Sequence, residues 1–473
     1  MASSIKEVFD TTNFRENGHR LVDLLAEYMD QAKAGMGMPV LDWVEPDQQV
    51  EFWKNYMITG DDLTPFFHDI IKRSIHLLHP NYVGHQLTPT APVTALAAFL
   101  AGVVNNGMVG YEMGSVTTAM EKLAVQVFTH ALGFGETGDG FFTSGGTLAN
   151  LTALLSARKA VSDRNIWANG NAGKQLTIMV SAEAHYCVDR AARIMGLGTD
   201  GIILVETNNE FQMKVDLLED AWRQAKAEGR EVFAVVGSAC TTATGSYDNL
   251  EAIAAFASEK NIWFHVDGAH GGPVIFTEKY KYLVNGIHLA DSVVIDCHKM
   301  LMTPALTTAL LYKHANQSYH TFQQDAQYLW QKDAEPEWYN YGQRTFECTK
   351  LMMSLKFFTL VKVHGVEVLG ENVTALYDLA REFASLIRKR EGLELAMEPQ
   401  SNIVCFRLND PSLSLEDQNR VNGLIRKQIL VEGEFYIVQT TLRGKVFLRT
   451  TLMNPFTTTV HLTELLDRIE LMV

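Results

Sequence analysis

Two charged residues that could do covalent and acid–base chemistry follow short apolar runs. The predicted strand Ile262–Val266 leads to Asp267, and the predicted strand Ser292–Asp296 is followed closely by Lys299. A lysine directly after a buried strand is costly to bury as a cation, so it either reaches solvent or has a depressed pKa that suits covalent work. The pattern therefore indicates either capping and ion pairing or a site with a carboxylate and a nucleophilic amine.

A glycine turn precedes a predicted helix at Ser144-Gly145-Gly146-Thr147. The first N–H groups of a helix have no partner within it and the positive end of the helix dipole lies there, so such a turn suits a phosphate. The motif is neither GxGxxG nor a P-loop. A tight strand-to-helix turn without a ligand gives the same pattern, so the turn alone leaves both interpretations open.

The turn, Asp267 and Lys299 together meet the three requirements of pyridoxal phosphate. Its phosphate needs an anion site, its pyridine nitrogen a carboxylate, and its aldehyde an amine. The sequence therefore predicts a site for pyridoxal 5'-phosphate.

A metal site is the alternative interpretation of His265, Asp267 and His270. Side chains two residues apart on a strand share one face, which places His265 beside Asp267, whereas His270 lies in the following glycine turn. A third ligand with clear spacing is missing, so we expect no metal here. A metal-dependent hydrolase and a catalytically silent protein with the same fold stay open as functions of other classes.

The candidate residues lie at the ends of strands that alternate with helices. This alternation runs from about residue 141 to 312, and we expect its last strand, Thr307–Tyr312, to be antiparallel. Such a pattern predicts an α/β fold with a mostly parallel sheet that helices cover on both faces. Ligands of these folds bind at the carboxyl ends of the strands, where the candidate residues lie.

A helical N-terminal segment and a small C-terminal α+β part flank the predicted sheet. Amphipathic spacing predicts helices at Phe14–Met29 and from Thr64 to Leu78, and a long helix from Thr345 to His364. We therefore divide the chain into an N-terminal helical segment (1–78), a large domain that carries the site (79–344) and a small domain (345–473).

Composition limits the location and partners of the chain. Its 473 residues are 47% hydrophobic, enough for a buried core, and a net charge of -15 argues against nucleic acid or an anionic membrane surface as main partner. Five scattered cysteines without CxxC spacing fit a reducing compartment. We see no signal pattern, and the most apolar stretch is too short for a membrane span. We expect a cytoplasmic protein.

The motifs as a set resemble the group II pyridoxal-phosphate decarboxylases, which include aromatic-amino-acid, glutamate, cysteine-sulfinate and diaminobutyrate decarboxylases. The matching motifs are His79-Pro80, Ser144–Asn150, Ala184-His185, Thr241-Thr242, Asp248–Leu250, His265–Ala269, His298-Lys299 and Arg449. The resemblance implies the aspartate-aminotransferase type (type I) fold and a homodimer with each site at the subunit interface. It also implies decarboxylation of an L-amino acid to an amine and CO2, with pyridoxal 5'-phosphate as cofactor.

The resemblance assigns roles around the cofactor residue by residue. Lys299 matches the lysine that bonds covalently to the cofactor, and Asp267 the aspartate that pairs with its ring nitrogen. His185 matches the histidine that stacks on the ring, and we count it with Lys299 as catalytic. The other residues implied at the cofactor are Gly146, Thr147 and His298 at the phosphate, and Thr242 and Ala269 along its sides.

The resemblance also implies a substrate site. Arg449 matches the arginine that binds the α-carboxylate, and Thr88, beside Gln86, resembles a glutamate-decarboxylase serine that contacts the side-chain carboxylate. Tyr328, in a long aromatic-rich loop, matches the tyrosine that returns a proton to Cα. These matches favour an acidic or diamino substrate, with an aromatic amino acid as the alternative. Oxidative decarboxylation–deamination to an aldehyde is a further alternative, against which Tyr328 argues.

Asp296 departs from the family pattern, in which many members have asparagine two residues before the histidine. A carboxylate near a phosphate is unfavourable unless it is neutralised or turned away. The sequence does not identify a partner for Asp296.

Overall fold

A computed structural model of the protein describes residues 3–35, 37–57, 62–161, 166–171, 173, 175–319, 321–322 and 337–472. The chain divides into two compact units. The larger unit consists of Gln86–Ala380 and Pro399–Ile403, and the smaller unit of Met1–His85, Arg381–Glu398 and Val404–Val473. The three-part division at residues 78/79 and 344/345 stays a prediction.

Helices and strands follow one another along the described chain as follows. The helices are α1 (Ser3–Val8), α2 (Thr11–Ala34), α3 (Pro46–Lys54), α4 (Leu63–Lys72), α5 (Pro92–Val104), α6 (Tyr111–Leu132), α7 (Gly146–Val161), α8 (Ile166–Asn169), α9 (Cys187–Ile194), α10 (Leu218–Ala227), α11 (Leu250–Lys260), α12 (Ser354–His364), α13 (Glu367–Arg388), α14 (Leu415–Glu432) and α15 (Thr459–Glu470). The strands are β1 (Asp139–Thr143), β2 (Gln175–Ser181), β3 (Ile202–Val205), β4 (Arg230–Ser238), β5 (Trp263–Asp267), β6 (Ser292–Asp296), β7 (Thr308–Tyr312), β8 (Leu393–Leu395), β9 (Ile403–Leu408), β10 (Val438–Leu442) and β11 (Lys445–Thr451).

A seven-stranded sheet of order β1-β7-β6-β5-β4-β2-β3 forms the core of the larger unit. Strand β7 is antiparallel to β1 and β6, whereas β2, β3, β4, β5 and β6 pair in parallel. Every residue of β1 and β6 is buried, as expected for strands covered on both faces. The predicted mostly parallel sheet with an antiparallel strand near Thr307–Tyr312 is confirmed.

The carboxyl ends of β1, β2, β4, β5 and β6 lie at one edge of this sheet. Asp296 at the end of β6 pairs with Thr308, which also pairs with Thr143 at the end of β1. Asp267 at the end of β5 pairs with Val294 of β6. Helix α7 begins shortly after β1 and packs against β4, β5, β6 and β7. The glycine turn before α7 therefore lies at the same edge as the two carboxylates.

The helix predicted from Thr345 to His364 begins only at Ser354, so its predicted start is wrong. The segment directly before α12 instead contacts other parts of the larger unit. The Met108 N–H donates to the Lys350 carbonyl at 3.0 Å, and the Lys350 ammonium pairs with the Glu121 carboxylate. The Lys350 carbonyl therefore accepts a hydrogen bond from another segment, whereas in a helix it would accept from the N–H four residues later.

The smaller unit contains a four-stranded sheet of order β10-β11-β9-β8. Its pairs β8–β9 and β10–β11 are antiparallel, and α14 packs against β10 and β11. In the same unit α2 packs against α4. The predicted helical N-terminal segment and C-terminal α+β part are thus confirmed as elements. No helix in the described ranges has the length and apolar composition needed to cross a membrane.

Candidate active site

The carboxyl edge of the seven-stranded sheet carries a cavity of about 280 Å³. Segments that follow β1, β2, β4, β5 and β6 contribute to its wall. The residues that line it are Gln86, Ser144, Gly145, Gly146, Thr147, Asn150, His185, Cys187, Cys240, Thr242, Asp267, Ala269, His270, Asp296, His298, Lys299 and Leu306. Polar groups that converge on one concave site are typical of a ligand-binding site.

Two glycines form the turn between β1 and α7. Gly145 has a φ of 117°, a conformation that residues with side chains rarely adopt. A Cβ on Gly146 would lie 3.2 Å from both carboxylate oxygens of Asp296, so a side chain would crowd the cavity wall there. The first N–H groups of α7 have no carbonyl partner within the helix, which makes this turn an anion site.

A chain of hydrogen bonds connects this turn to β5 and β6. Asn150 Nδ2 donates to the Gly146 carbonyl at 2.9 Å, and Asn150 Oδ1 lies 2.8 Å from His265 Nε2. His265 Nδ1 lies 2.8 Å from Ser292 Oγ. Burial lowers the pKa of His265 to about 4, so the ring is neutral at pH 7. Because Asn150 Oδ1 only accepts, His265 Nε2 carries the proton and Nδ1 accepts from Ser292.

The three residues of the metal interpretation do not converge on one point. Both ring nitrogens of His265 are hydrogen-bonded, and His270 Nε2 lies 2.8 Å from Asn402 Oδ1. In the part of the chain that the structure describes, no group of three or more His, Cys, Asp or Glu side chains could hold a metal ion. The geometry gives a metal-dependent hydrolase no support.

Asp267 ends β5 and lies in the cavity wall. Its Oδ1 accepts a hydrogen bond from the Ala269 N–H at 3.2 Å, and the Cys187 thiol lies 4.0 Å from Oδ2. Burial raises the pKa of the Cys187 thiol, which keeps the sulfur protonated. Neither of these partners is charged, so the Asp267 carboxylate can pair with a cationic group of a ligand.

Lys299 follows β6, and Asp296 holds its ammonium. Nζ of Lys299 lies 2.9 Å from Asp296 Oδ2, and Nε2 of His298 lies 3.8 Å from the same oxygen. Burial alone would lower the pKa of Lys299, but Asp296 raises it above its usual range. A depressed pKa was one of the two alternatives that the sequence left open for Lys299, and the ion pair with Asp296 opposes it. The partner of Asp296 that the sequence did not identify is this lysine.

His185 lies between β2 and α9 and lines the cavity. Its Nδ1 accepts from the Cys187 N–H at 3.3 Å, and its ring centroid is 4.2 Å from that of Tyr186. Burial lowers the pKa of His185, which favours a neutral ring. A neutral planar ring in the wall can stack on a planar ligand.

The cavity brings together most of the residues predicted to bind cofactor or substrate. These residues are Gln86, Gly146, Thr147, His185, Thr242, Asp267, Ala269, His298 and Lys299. Thr88 is not among the lining residues; it is buried, and its Oγ1 donates to the Pro89 carbonyl at 3.1 Å. Arg449 lies on β11 in the smaller unit, and Tyr328 lies outside the described residues. The roles of all these residues stay predictions.

Three further residues line the cavity that the sequence did not predict as site residues: Asn150, Cys187 and Cys240. Cys240 follows the carboxyl end of β4, so the rule that placed Asp267 in the site would also have found this cysteine. Asn150 lies one helical turn after Gly146, on the same face of α7. Their positions along the sequence, after a strand and one helical turn after Gly146, could therefore have predicted Cys240 and Asn150 as site residues.

The residues of the cavity fit pyridoxal 5'-phosphate. The turn before α7 supplies an anion site, Asp267 a carboxylate and Lys299 a primary amine, and all line the same cavity. Nε2 of Gln86 is buried without a hydrogen-bond partner among the described residues. A buried donor of this kind indicates a ligand that accepts a hydrogen bond.

Comparisons with known proteins agree with this chemistry. The model of the family described as "Pyridoxal-dependent decarboxylase conserved domain" matches residues 54–409, which is more than half of the chain. Acidic amino acid decarboxylase GADL1 from Homo sapiens is 30% identical over 449 residues, covering 92% of this chain and 86% of the relative. Aromatic-L-amino-acid decarboxylase from Bacillus atrophaeus is 27% identical over 463 residues, covering 96% and 94%.

A solved structure shows the same fold. It is the glutamate decarboxylase domain of diaminobutyrate-pyruvate transaminase and L-2,4-diaminobutyrate decarboxylase from Vibrio parahaemolyticus, with a TM-score of 0.84 and 26% identity. The match covers 97% of this chain and 95% of that chain. The type I fold that the resemblance implied is confirmed.

Proposed function

The chain belongs to the pyridoxal-dependent decarboxylase family, and from this premise we propose that it decarboxylates an L-amino acid with a short polar side chain, acidic or diamino. It is a pyridoxal-phosphate-dependent amino acid decarboxylase, a carboxy-lyase, and this confirms the family, cofactor and reaction class predicted from the sequence. One observation carries the proposal for the site: Lys299, Asp267 and the turn at Gly146 line one cavity.

We infer the cofactor-binding residues from the wall of this cavity. The N–H groups at the start of α7, with Thr147 and His298, would bind the phosphate. Asp267 would keep a proton on the ring nitrogen, because a nearby carboxylate favours the cationic form. Lys299 would supply the amine for the aldehyde, and His185 would stack on the ring. When bound, pyridoxal phosphate supplies an electron-withdrawing ring that accepts the electron pair left at Cα as CO2 departs.

Gln86 supports a short polar substrate. It lines the cavity, and its amide can donate to a carboxylate or accept from an ammonium, so it suits both an acidic and a diamino side chain. The alternative is an aromatic substrate, as named for the relative from Bacillus atrophaeus.

Three further roles that the resemblance implies belong to the proposed reaction. Arg449 binds the α-carboxylate, and Thr88 contributes to the recognition of the substrate side chain. Tyr328 delivers a proton to Cα, and this protonation is what yields the amine. Oxidative deamination competes where that proton donor is missing, so the proposal predicts the amine as product.

Release of CO2 from a panel of amino acids tests the substrate class. We expect the highest kcat/KM with aspartate, glutamate, cysteine sulfinate or 2,4-diaminobutyrate, and roughly tenfold lower values or less with DOPA and tryptophan. The opposite order would replace the proposal with the aromatic alternative. Stoichiometric hydrogen peroxide and ammonia would instead identify the oxidative reaction.

Two variants test whether residues of the cavity carry the activity measured with this panel. Gln86→Leu should raise KM for the best substrate about tenfold or more, because a hydrogen bond to a charged group is worth about 1.5–3 kcal/mol. The visible absorbance of the bound cofactor should remain in that variant. Lys299→Ala should lose both the covalent attachment, detected by borohydride reduction, and CO2 release. An active Lys299→Ala enzyme would contradict the assigned site.

We infer a homodimer from the exposed apolar face of α5. On this helix Leu96, Leu100 and Val103 are 57%, 54% and 60% exposed. Contiguous apolar side chains on a surface mark an interaction site. A second copy of the chain, as the resemblance implies, is the partner we propose for this face.

We also propose a cytoplasmic location. The support is that the five cysteines form no disulfide in the described chain, as in proteins of reducing compartments.

A further inference from the structure

Asp296 lies between the lysine and the glycine turn of the site. It ends β6, is only 2% exposed, and places Oδ2 2.9 Å from Nζ of Lys299. Thr308 Oγ1, on the neighbouring strand β7, donates to the other oxygen, Oδ1. The carboxylate is therefore held on both oxygens, by an ammonium on one and by a hydroxyl on the other.

We propose that Asp296 is a positioning residue that holds Lys299 as an ammonium whenever this lysine is not bonded to the cofactor. The proposal rests on the proposed role of Lys299 as the amine that bonds to the cofactor aldehyde. In that step Nζ must first lose a proton, because its electron pair forms the new bond to carbon. Of the three ammonium hydrogens, two finally leave with the aldehyde oxygen as water and one stays on the nitrogen of the new C=N bond.

The charges of the pair favour its ionised form. Burial would lower the pKa of Lys299, yet Asp296 raises it above its usual range. Burial would raise the pKa of Asp296, yet Lys299 and His298 lower it. Both shifts keep the carboxylate negative and the amine positive at neutral pH. Asp296 therefore opposes bond formation at neutral pH and keeps the unbonded lysine in place.

Other titratable groups face this pair from the neighbouring segments. Besides Asp296, two weaker contributors raise the pKa of Lys299: Asp267 at the end of β5 and Cys240 after β4. Burial lowers the pKa of His185, and burial raises the pKa values of the thiols of Cys187 and Cys297. Asp296 is the carboxylate that forms the 2.9 Å ion pair, so its removal should change the lysine most.

The rate of cofactor loading measures this effect. Apoprotein is mixed with pyridoxal phosphate between pH 7 and 9.5, and the initial growth of visible absorbance is recorded. In the wild type the rate should rise about tenfold per pH unit, because only the neutral amine attacks. Asp296→Asn removes the negative charge beside Lys299, which should lower the pKa of this lysine by about 1–3 units. The variant should load cofactor at pH 7 about tenfold faster than the wild type, or more. Its rate should also level off at a lower pH than that of the wild type.

Asp291→Asn is a matched control at the other end of β6. Asp291 directly precedes the strand, and its carboxylate accepts from the Phe264 N–H at 2.8 Å. This variant removes one carboxylate from the position directly before the same strand and should keep the wild-type profile. An Asp296→Asn profile that coincides with the wild type would overturn the proposal. A wild-type protein that gains no visible absorbance at any pH would overturn the proposed function instead.

A second measurement needs no variant at Asp296. The wild-type apoprotein is treated with an amine-reactive reagent over the same pH range, and Lys299 labelling is followed by mass spectrometry. We expect Lys299 to react at higher pH than Lys427, which is exposed on α14. Labelling of Lys299 at lower pH than Lys427 would overturn the proposal even if Asp296→Asn failed to fold.

Discussion

Asp267 and Asp296 end neighbouring strands, and their partners give them different parts in the site. Asp267 accepts from a backbone N–H and lies near a thiol, whereas Asp296 binds the Lys299 ammonium directly. The first carboxylate can therefore pair with a ligand cation, and the second is already neutralised. At the scale of single residues the contacts decide the role, since both side chains are of one type and lie at one sheet edge.

His265 should make the stability of the protein depend on pH. Its pKa is lowered to about 4 in the folded chain, against 6.5 for an unperturbed histidine, so between these values only the unfolded chain takes the proton. The free energy of unfolding should therefore fall as pH decreases from 6.5 to 4, by roughly 3 kcal/mol in total. Thermal unfolding at pH 7.5 and pH 5 measures this loss.

Two variants isolate the contribution of His265. His265→Gln cannot take up the proton, so its unfolding temperature should fall less between pH 7.5 and 5 than that of the wild type. His288→Gln changes an exposed histidine and should keep the wild-type dependence. Equal losses in all three proteins would show that His265 does not carry the effect.

At the scale of elements, buried ion pairs attach the segment before α12 to the sheet. Lys350 pairs with Glu121 of α6, and Glu121 Oε1 also accepts from the Phe142 N–H of β1 at 3.0 Å. In the same segment, Arg344 Nη1 lies 2.7 Å from Asp139 Oδ2. These contacts hold the segment against β1, immediately before the glycine turn of the site.

Lys350→Met should destabilise the larger unit. Both Lys350 and Glu121 have side chains with 0% exposure, so the variant leaves a buried carboxylate without its cation. Such a loss costs about 3–5 kcal/mol. Urea unfolding followed by circular dichroism measures it, with Lys350→Met/Glu121→Gln as the comparison. The double variant should recover most of the stability, and a single variant as stable as the double would contradict the ion-pair argument.

The parts of the fold that the sequence predicted depend on short-range signals. Apolar runs mark β5 and β6, and the glycines mark the turn before α7, because both patterns lie within a few residues. The start of α12 was predicted wrongly because the competing contact joins Glu121 to Lys350, 229 residues apart. The support of the turn by Asn150 and His265 was missed for the same reason, since these residues are 115 positions apart.

At the scale of the whole molecule, the fold does not identify the substrate. Relatives named for acidic and aromatic amino acids each match more than nine-tenths of this chain at 27–30% identity. The same sheet and cofactor chemistry therefore serve different side chains. We propose that a few residues of the cavity wall, Gln86 among them, decide which side chain is accepted.

Leu100→Glu should dissociate the proposed homodimer. Leu100 is 54% exposed on α5, between the exposed Leu96 and Val103. A two-fold interface contains the substitution twice, and burying one leucine is worth about 1.5–3 kcal/mol. The dissociation constant should rise roughly a hundredfold or more, seen as half the wild-type mass in sedimentation at micromolar concentration. Activity should fall with the mass, because the resemblance places each site at the subunit interface.

Leu424→Glu is the matched control for this prediction. Leu424 lies on α14 and is 55% exposed, so the variant adds the same charge to an equally exposed leucine away from α5. It should keep the wild-type mass and activity. If Leu100→Glu folds by circular dichroism and still keeps the wild-type mass, α5 does not form the interface. If both variants dissociate equally, added negative charge on an acidic chain, rather than the loss of an apolar contact, explains the change.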